Sequence, residues 1–215
     1  KTIKKIRPNV TIKAFTAVEI DHLAGISERS LEDTIYTLKS AGLEMLPGGG
    51  AEILSTRVHD KLVPIKIGHE RWLEVVTQIH AAGLTSNATM LYGHIETVEE
   101  RLEHLDMLRK AQDETGGFLA FIPLAFHPKN TEMTEHSRTT GIDDLKNIVV
   151  ARLMLDNFPH IKANWVMNGQ KLAQVAHSFV ADDMDGHVKE EINNHRACIE
   201  SEKALGQKNA NKRIK

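Results

Sequence analysis

The sequence has 215 residues, and its content of 41% hydrophobic and 26% charged residues is typical of one or two globular domains. A formal net charge of −2 argues against a dedicated nucleic-acid-binding protein, and no apolar run is long enough to span a membrane. The single cysteine, Cys198, excludes an internal disulfide and an all-cysteine metal site, and it fits a reducing, cytoplasmic setting.

The first half of the chain alternates short apolar runs with helical patterns. Residues 10–16, rich in β-branched and aromatic side chains, predict a strand, and residues 43–46 predict a second one. Ser30 is the predicted N-cap of a helix whose apolar residues follow at helical spacing. Another helix is predicted to begin near Ala51, and residues 69–82 predict a further one with a single apolar face.

The second half continues the same alternation. Residues 85–92 predict the third strand, and Thr97 with Glu100 predicts a capping box at the start of the next helix. Residues 118–126 are almost wholly apolar, as expected of a strand buried on both faces, although Pro123 indicates a bulge or an early strand end. The remaining predicted elements are a helix over residues 142–157, a strand over 161–167, a helix over 172–179, a short strand over 180–184 and a last helix.

This alternation of about six βα units predicts a parallel sheet with helices outside it. The first strand is not followed by GxGxxG, which disfavours a dinucleotide-binding Rossmann fold. Polar and glycine residues follow nearly every strand, where (β/α)8 barrels carry their functional residues. We therefore predict an α/β fold, a TIM-type (β/α)8 barrel present incompletely over residues 1–192, with about two further units expected before Lys1 and a divergent polar tail over residues 193–215.

A glycine-rich segment follows the second predicted strand. It contains Gly48, Gly49 and Gly50, hereafter the glycine loop, and Ala51 separates this loop from Glu52. Three glycines let backbone N–H groups approach a ligand closely. A helix starting near Ala51 would add its positive end, which suits a carboxylate or a phosphate. The alternative interpretation is a tight turn between a strand and a helix.

Polar residues also follow the third, fourth and last predicted strands. His94 is a candidate proton carrier or a structural hydrogen-bonding residue, and Glu96 stands where a negative charge favours a helix start. His127 and Asn130 follow the fourth strand. Asp183 belongs to an acidic run that either binds a metal or is solvated. Because no recognisable metal-ligand spacing accompanies that run, we predict no metal site in this chain.

Five segments of the sequence match one known family in order. They are KAFTAVEI (13–20), LPGGGAEI (46–53), SNATMLYGHIET (86–97), QDETGGFLAFIPLAFHPKNT (112–131) and VARLMLDNFPHIKANWVM (150–167). These segments closely resemble the aminofutalosine synthases, which are radical S-adenosylmethionine enzymes of the futalosine route to menaquinone. The sister family, cyclic dehypoxanthine futalosine synthase, shares GGGAEI but usually has FQP within the stretch 123–128, and it ranks second.

The resemblance implies a (β/α)8 barrel and a radical reaction. In that family a [4Fe-4S] cluster receives an electron from an electron donor. The reduced cluster then reduces S-adenosylmethionine and releases a 5′-deoxyadenosyl radical. The radical adds to the enolpyruvyl double bond of 3-[(1-carboxyvinyl)oxy]benzoate, and loss of the carboxyl group gives aminodeoxyfutalosine. The implied partners of the chain are therefore this small-molecule substrate and an electron donor.

The resemblance also assigns S-adenosylmethionine contacts to this chain. The glycine loop and Glu52 match the place where the ribose and methionine polar groups are held. A degenerate adenine-packing stretch lies on the third predicted strand and the turn after it. Its residues here are Thr89, Leu91, Gly93 and Glu96, and Asn87 precedes them as a further contact.

The implied substrate has two carboxylates, so its site requires a cation. Arg57 is the first candidate, with Lys13 and Lys162 behind it. Thr16 and Asn130 are further candidate substrate contacts. The candidates for guiding the rearrangement are His94, His127 and Asp183.

The sequence departs from the family at the motif that binds the cluster. The family's CxxxCxxC loop supplies three thiolate ligands, and this sequence contains no such motif. The chain alone is therefore expected to be inactive and to require an N-terminal part before Lys1. The alternative hypothesis is a non-catalytic remnant or binding module that lacks the cluster.

Overall fold

The computed structural model describes residues 1–129, 131–133, 135 and 139–185. Within these residues five parallel strands form one sheet in chain order, and Lys13 adds a parallel bridge to Met45 ahead of the first strand. The chain thus has an α/β fold whose parallel sheet is consistent with part of a TIM-like barrel. The strands are β1 (Met45–Leu46), β2 (Thr85–Tyr92), β3 (Phe118–Ala125), β4 (His160–Ala163) and β5 (Asp183–Met184).

Helices precede the sheet and occupy every connection between neighbouring strands, as parallel pairing requires. No helix within the described ranges is long and apolar enough to cross a membrane. The helices are α1 (Thr2–Ile6), α2 (Ala17–Ile26), α3 (Leu31–Ser40), α4 (Thr56–Leu62), α5 (His69–Ala81), α6 (Val98–Thr115), α7 (Gly141–Met154), α8 (Trp165–Asn168) and α9 (Gln170–Phe179).

The predicted strand over residues 10–16 is wrong except for the bridge at Lys13. Phe15 adopts a left-handed φ of 61°, which ends the extended segment. Thr16 then starts α2 through a reciprocal capping box with Glu19, and this helix was not predicted. The apolar run therefore feeds a helix rather than extending a strand.

The fifth predicted strand, over residues 161–167, is too long. β4 ends at Ala163, and the side chain of Asn164 then accepts a hydrogen bond from the backbone N–H of Met167. This cap turns the chain into the short helix α8. The sixth predicted strand, over residues 180–184, is likewise reduced to the two residues of β5.

The helix predicted to begin near Ala51 is also wrong. The glycine loop has φ values of 85°, 87° and 86°, and Glu52 has a φ of 50°, none of which is right-handed helical. The chain enters a helix only at α4, which Ser55 caps. The last predicted helix, the predicted tail over residues 193–215 and Cys198 lie outside the described residues.

The capping signals at Ser30 and Thr97 predicted the starts of two helices correctly. The side chain of Ser30 accepts a hydrogen bond from the N–H of Asp33 and caps α3. Thr97 and Glu100 form the predicted reciprocal capping box of α6, and Gly116 ends that helix with a left-handed φ of 62°. Local signals of this kind act within one helical turn, so they are visible in the sequence.

Pro123 lies within β3, and the predicted bulge or early strand end at this residue is wrong. It is in register with Met90 of β2, whereas β4 pairs only with Ala120 and Phe121. Beyond Phe121, β3 therefore has no partner strand on its β4 side. The backbone N–H that proline lacks is not needed for pairing there.

The side chains of β2 alternate between two environments. The hydroxyl of Tyr92 points to the helix layer and donates to the carboxylate of Asp144 in α7 at 2.8 Å. Asn87 and Thr89 face the opposite side of the sheet, where the glycine loop contacts them. The helix-facing side is structural, and the other side is where a ligand site can form.

Replacing the buried Tyr92 by Phe should destabilise the fold, because Asp144 loses a buried hydrogen bond. We expect Tyr92→Phe to lower the free energy of unfolding by about 1–3 kcal/mol. The matched control is Tyr36→Phe, since Tyr36 is 57% exposed, and its effect should stay within about 0.5 kcal/mol. Urea denaturation followed by circular dichroism measures both, and equal midpoints for the two variants would contradict the assignment.

Candidate functional site

The carboxyl ends of the parallel strands meet at one edge of the sheet, hereafter the carboxyl edge. The glycine loop follows β1, residues 93–96 follow β2, and residues 126–128 follow β3. α8 follows β4, and Asp185 follows β5. In α/β barrels this edge carries the ligand sites, so the sequence-predicted candidates fall where a site is expected.

Backbone conformation and close packing both require glycine in the glycine loop. A Cβ added to Gly48 would lie 2.8 Å from the carbonyl oxygen of Asn87, and one added to Gly50 would lie 2.6 Å from Cγ2 of Val18. All three glycines have positive φ, which L side chains rarely adopt. The loop therefore presents its backbone, with no side chain of its own, to the side of β2 that carries Asn87.

Several hydrogen-bond donors around this loop have no protein partner. Among the described residues, the N–H groups of the glycine loop donate to no protein acceptor. Asn87 is 2% exposed, and its Nδ2 is buried without a hydrogen-bond partner. Thr89 is the nearest neighbour of Gly49, whose added Cβ would lie 3.9 Å from the Thr89 hydroxyl. A buried unpaired donor costs free energy, so this arrangement indicates a place for an acceptor-rich ligand.

Glu52 and Trp72 hold the glycine loop in place. The Glu52 carboxylate accepts a hydrogen bond from Lys66 Nζ at 2.6 Å. The backbone carbonyl of Glu52 accepts one from the N–H of Leu91 at 3.0 Å. The indole N–H of Trp72 donates to the carbonyl of Gly49 at 3.3 Å. The loop is thus tied both to β2 and to α5, which gives it a fixed shape.

Glu96 organises the loop after β2. Its side chain is fully buried and accepts hydrogen bonds from the backbone N–H of Gly93 at 2.5 Å and of His94 at 2.9 Å, and from Arg101 Nε at 2.7 Å. Burial by itself raises the pKa of Glu96, but the hydrogen bonds from His94 and Gly93 outweigh it and lower the pKa to about 2. Glu96 therefore stays ionised near neutral pH and anchors the turn.

Both ring nitrogens of His94 contact protein atoms. Nε2 lies 2.8 Å from the carbonyl oxygen of Leu91, and Nδ1 accepts a hydrogen bond from the N–H of Ile95 at 2.7 Å. Nδ1 also lies 3.0 Å from a carboxylate oxygen of Glu96. The contacts described give His94 a role in shaping the loop, and its catalytic role stays a prediction.

Two other predicted site residues lie at loop and helix boundaries. His127 is buried, with Nε2 at 3.1 Å from the carbonyl oxygen of Met167, which joins the end of β3 to α8. The Thr16 hydroxyl donates to the Glu19 carboxylate at 2.9 Å in the cap of α2. Asn130 lies outside the described residues.

Arg57 does not present a free cation. Its Nε lies 2.9 Å from the Glu100 carboxylate, and one terminal nitrogen donates to the same carboxylate at 2.5 Å and to the Ile95 carbonyl at 2.8 Å. Because Glu100 also caps α6, Arg57 links α4 to the start of α6. A substrate carboxylate would have to compete with this pair.

Four charged side chains from opposite ends of the sheet interact with one another, hereafter the charge cluster: Lys13 ahead of β1, and Lys162, Asp183 and Asp185 on and after the last two strands. Lys162 Nζ lies 3.1 Å from Asp183 Oδ2 and 3.7 Å from Asp185 Oδ1. Lys13 is close enough for its charge to interact with all three. Burial, and then the charge of Lys162, lower the pKa of Lys13, whereas burial raises the pKa of Asp185.

A sequence model of the CofH/MqnC C-terminal region matches residues 115–209. Aminodeoxyfutalosine synthase of Thermus thermophilus is 49% identical over 201 residues, which cover 92% of this chain and 54% of the relative. The chain belongs to the CofH/MqnC family. The resemblance inferred from the sequence is thereby confirmed.

The names of other relatives give different reactions. Cyclic dehypoxanthine futalosine synthase of Streptomyces coelicolor is 40% identical over 189 residues, covering 88% of this chain and 47% of the relative. The 5-amino-6-(D-ribitylamino)uracil–L-tyrosine 4-hydroxyphenyl transferase 2 of Methanosarcina barkeri is also 40% identical, over 89% of this chain and 52% of the relative. The sequence had not suggested this transferase class. The chain spans about half the length of these curated relatives.

Two members of the site were missed or ranked low from the sequence. Lys66 pairs with Glu52 across 14 residues from a loop, and no sequence signal marks that pairing. Lys162 was the third candidate cation, yet in β4 the buried Ile161 and Ala163 alternate with it. That alternation places Lys162 on the other face of the strand and was a usable signal. Within the described ranges, no group of His, Cys, Asp and Glu residues could hold a metal ion.

Because Glu96 is ionised in the folded chain with a pKa of about 2, against 4.5 in an exposed chain, the unfolded state binds more protons between these values. Stability from Glu96 is therefore present above about pH 4.5 and is lost as the pH falls towards about 2. Glu96→Gln should remove up to about 3 kcal/mol at neutral pH and flatten the acid limb.

The matched control for this prediction is Glu99→Gln, because Glu99 is exposed in the first turn of α6, the helix that follows Glu96. Its effect should stay within about 1 kcal/mol. Thermal unfolding measured at a series of pH values gives both curves. Parallel acid limbs in the wild type and in Glu96→Gln would show that Glu96 does not carry this stability.

Proposed function

We propose that this chain forms the part of an aminodeoxyfutalosine synthase that holds S-adenosylmethionine and the enolpyruvyl substrate. The observation that carries the proposal is the glycine loop, which packs against Asn87 and Thr89 of β2 and whose N–H groups have no acceptor among the described residues. The sequence identity of 49% to an aminodeoxyfutalosine synthase, higher than the identity of 40% to a cyclic dehypoxanthine futalosine synthase, supports this enzyme over its sister.

The residues around the glycine loop fit S-adenosylmethionine chemically. Its carboxylate and ribose oxygens accept hydrogen bonds, and the loop N–H groups, the Asn87 amide and the Thr89 hydroxyl can donate them. The Glu52 carboxylate, already held by Lys66, adds an acceptor beside them. The chemistry that bound S-adenosylmethionine supplies is the adenosyl group for transfer. The chain's own residues bind and orient it.

The chain does not fit a [4Fe-4S] cluster by itself. Such a cluster in this class of enzyme needs three cysteine thiolates, and the sequence has one cysteine, Cys198. We therefore derive no step through a cluster from these residues. The reaction of the whole enzyme, and its electron donor, rest on the resemblance to aminodeoxyfutalosine synthases.

The proposed substrate is 3-[(1-carboxyvinyl)oxy]benzoate, and the proposed cation for one of its carboxylates is Lys13. In the described part of the chain Arg57 is engaged by Glu100, whereas the ammonium of Lys13 makes no ion pair. His127 and Asp183 remain proposed to guide the rearrangement, because both stand at the carboxyl edge. Cyclic dehypoxanthine futalosine synthase stays the second candidate, and competition binding with the two substrates distinguishes them.

Filling the glycine loop should weaken S-adenosylmethionine binding. Gly49→Ala places a methyl group towards Thr89 and costs about 1–2 kcal/mol of backbone strain, so we expect folded protein with binding at least about tenfold weaker. Gly25→Ala is the matched control, because nothing lies within 4 Å of its added Cβ and it sits inside α2. Isothermal titration calorimetry gives both affinities. Equal affinities in the two variants would remove the glycine loop from the binding site.

Anaerobic iron–sulfur reconstitution of the chain should fail, since one thiolate cannot hold the cluster. We expect no stoichiometric iron and no brown absorbance near about 400 nm after desalting. The control is Cys198→Ser, which should behave identically. A stable absorbance in the wild type that the serine variant loses would contradict the ligand count.

A further inference from the structure

His104 links the segment after the glycine loop to β2. It lies in α6, its side chain is fully buried, and both of its ring nitrogens contact backbone groups. Nδ1 accepts a hydrogen bond from the N–H of Leu54 at 3.0 Å, and Nε2 lies 3.1 Å from the carbonyl oxygen of Thr89. Because Nδ1 is the acceptor, Nε2 carries the ring proton and donates to Thr89.

The charge state of His104 fits these two contacts. Burial lowers the pKa of His104 to about 4, and the opposing effect of the Thr89 carbonyl is smaller. The ring is therefore neutral near neutral pH, which leaves Nδ1 free to accept a hydrogen bond. Phe121 of β3 packs beside the imidazole, with the ring centroids 6.4 Å apart, and brings no charge to it.

The pairing of β2 explains why a side chain is needed at this place. β1 pairs with only the first two residues of β2, and the chain then leaves the sheet as the glycine loop. Thr89 and Leu91 are two residues apart, so their backbone groups point to the same edge of β2. The N–H of Leu91 donates to the carbonyl of Glu52, and the carbonyl of Thr89 accepts from His104. Glu52 and His104 thus take the place of a longer β1 along this edge.

The glycine loop is therefore attached on both sides. It follows Leu46, which pairs with β2, and it leads to Leu54, which donates to His104. Its glycines have no side chains to pack, so the shape of the loop depends on these attachments and on the indole of Trp72. A shift of Leu54 would pass through a short stretch of backbone to the loop N–H groups that lack acceptors among the described residues.

We propose that His104 is a positioning residue of the S-adenosylmethionine site, which sets the path of the glycine loop by accepting the N–H of Leu54 while it donates to Thr89. It acts through the backbone of the loop and makes no bond to the ligand itself. This inference rests on the proposed function for the identity of the ligand. The hold of His104 on the loop is tested separately, without any ligand.

The first test compares two buried histidines. His104→Leu removes both hydrogen bonds, and we expect S-adenosylmethionine to bind at least about tenfold more weakly, because displaced loop donors no longer match the ligand. Isothermal titration calorimetry on the full chain measures this affinity.

The matched control is His80→Leu. His80 is also buried, and its ring nitrogens lie 2.8 Å from the Thr115 hydroxyl and 2.9 Å from the Ser86 hydroxyl. These partners stand at the end of α6 and at the start of β2. His80→Leu therefore also loses two buried hydrogen bonds, yet it should keep the affinity within about twofold of the wild type.

Two conservative variants separate the two hydrogen bonds of His104. In His104→Asn the amide oxygen lies the same number of bonds from Cβ as Nδ1, so it can accept from Leu54. We expect this variant to bind within about threefold of the wild type. In His104→Gln the amide nitrogen corresponds to Nε2, so donation to Thr89 is kept, Leu54 loses its acceptor and binding should stay weak. A side chain that only filled space would not distinguish these two variants.

Hydrogen exchange tests the hold on the loop in the absence of ligand. Mass spectrometry of peptides covering residues 46–55 should show faster exchange in His104→Leu and His104→Gln than in the wild type, because Leu54 loses its acceptor. His104→Asn and His80→Leu should exchange there as the wild type does. Circular dichroism confirms that each variant is folded.

Two results would overturn the inference: unchanged S-adenosylmethionine affinity in folded His104→Leu, or equal affinities in His104→Asn and His104→Gln. With a wild type that binds S-adenosylmethionine, either result removes the role of His104 and leaves the proposed function standing. If the folded wild type does not bind S-adenosylmethionine, the proposed function falls. Faster exchange over residues 46–55 in His104→Leu would then still support the hold of His104 on the loop, and unchanged exchange would overturn it.

Discussion

The parallel pairing of β2 with its neighbours is the constraint on which the rest of the structure depends. Because β1, β2 and β3 run in the same direction, the glycine loop and the turns containing Glu96 and His127 emerge at one edge. A buried ladder of this kind leaves one face for helices and one face for a ligand. Tyr92 on the first face and Asn87 on the second show the division within a single strand.

Signals confined to one helical turn could be predicted from the sequence. The cap at Ser30 and the capping box of Thr97 with Glu100 are confirmed, because each involves residues three positions apart. The strand predicted over residues 10–16 failed because its pairing depends on a distant strand, and a single bridge, from Lys13 to Met45, forms there. Strand length is decided by neighbours, which a single sequence does not display.

Some features of the candidate site could likewise be predicted from the sequence, and others could not. The need for glycine in the glycine loop could be predicted, since backbone approach and positive φ are properties of that residue type. The choice among cations could not, because charge identifies Arg57 and Lys13 equally. What separates them is that Arg57 meets a carboxylate that also caps a helix, whereas Lys13 meets the far end of a curled sheet. Both interactions join residues that are far apart in the sequence.

The glycine loop has an evolutionary consequence. A loop that recognises its ligand through main-chain N–H groups carries no information in side chains, so substitution cannot retune it without breaking it. New specificity in such a protein has to arise elsewhere, at positions where side chains meet the ligand. We propose the charge cluster as such a position, since a single change at Lys13 or Asp185 alters charge while the loop keeps its shape. The fold thus separates a part whose residue type is set by backbone geometry from a part whose side chains can change.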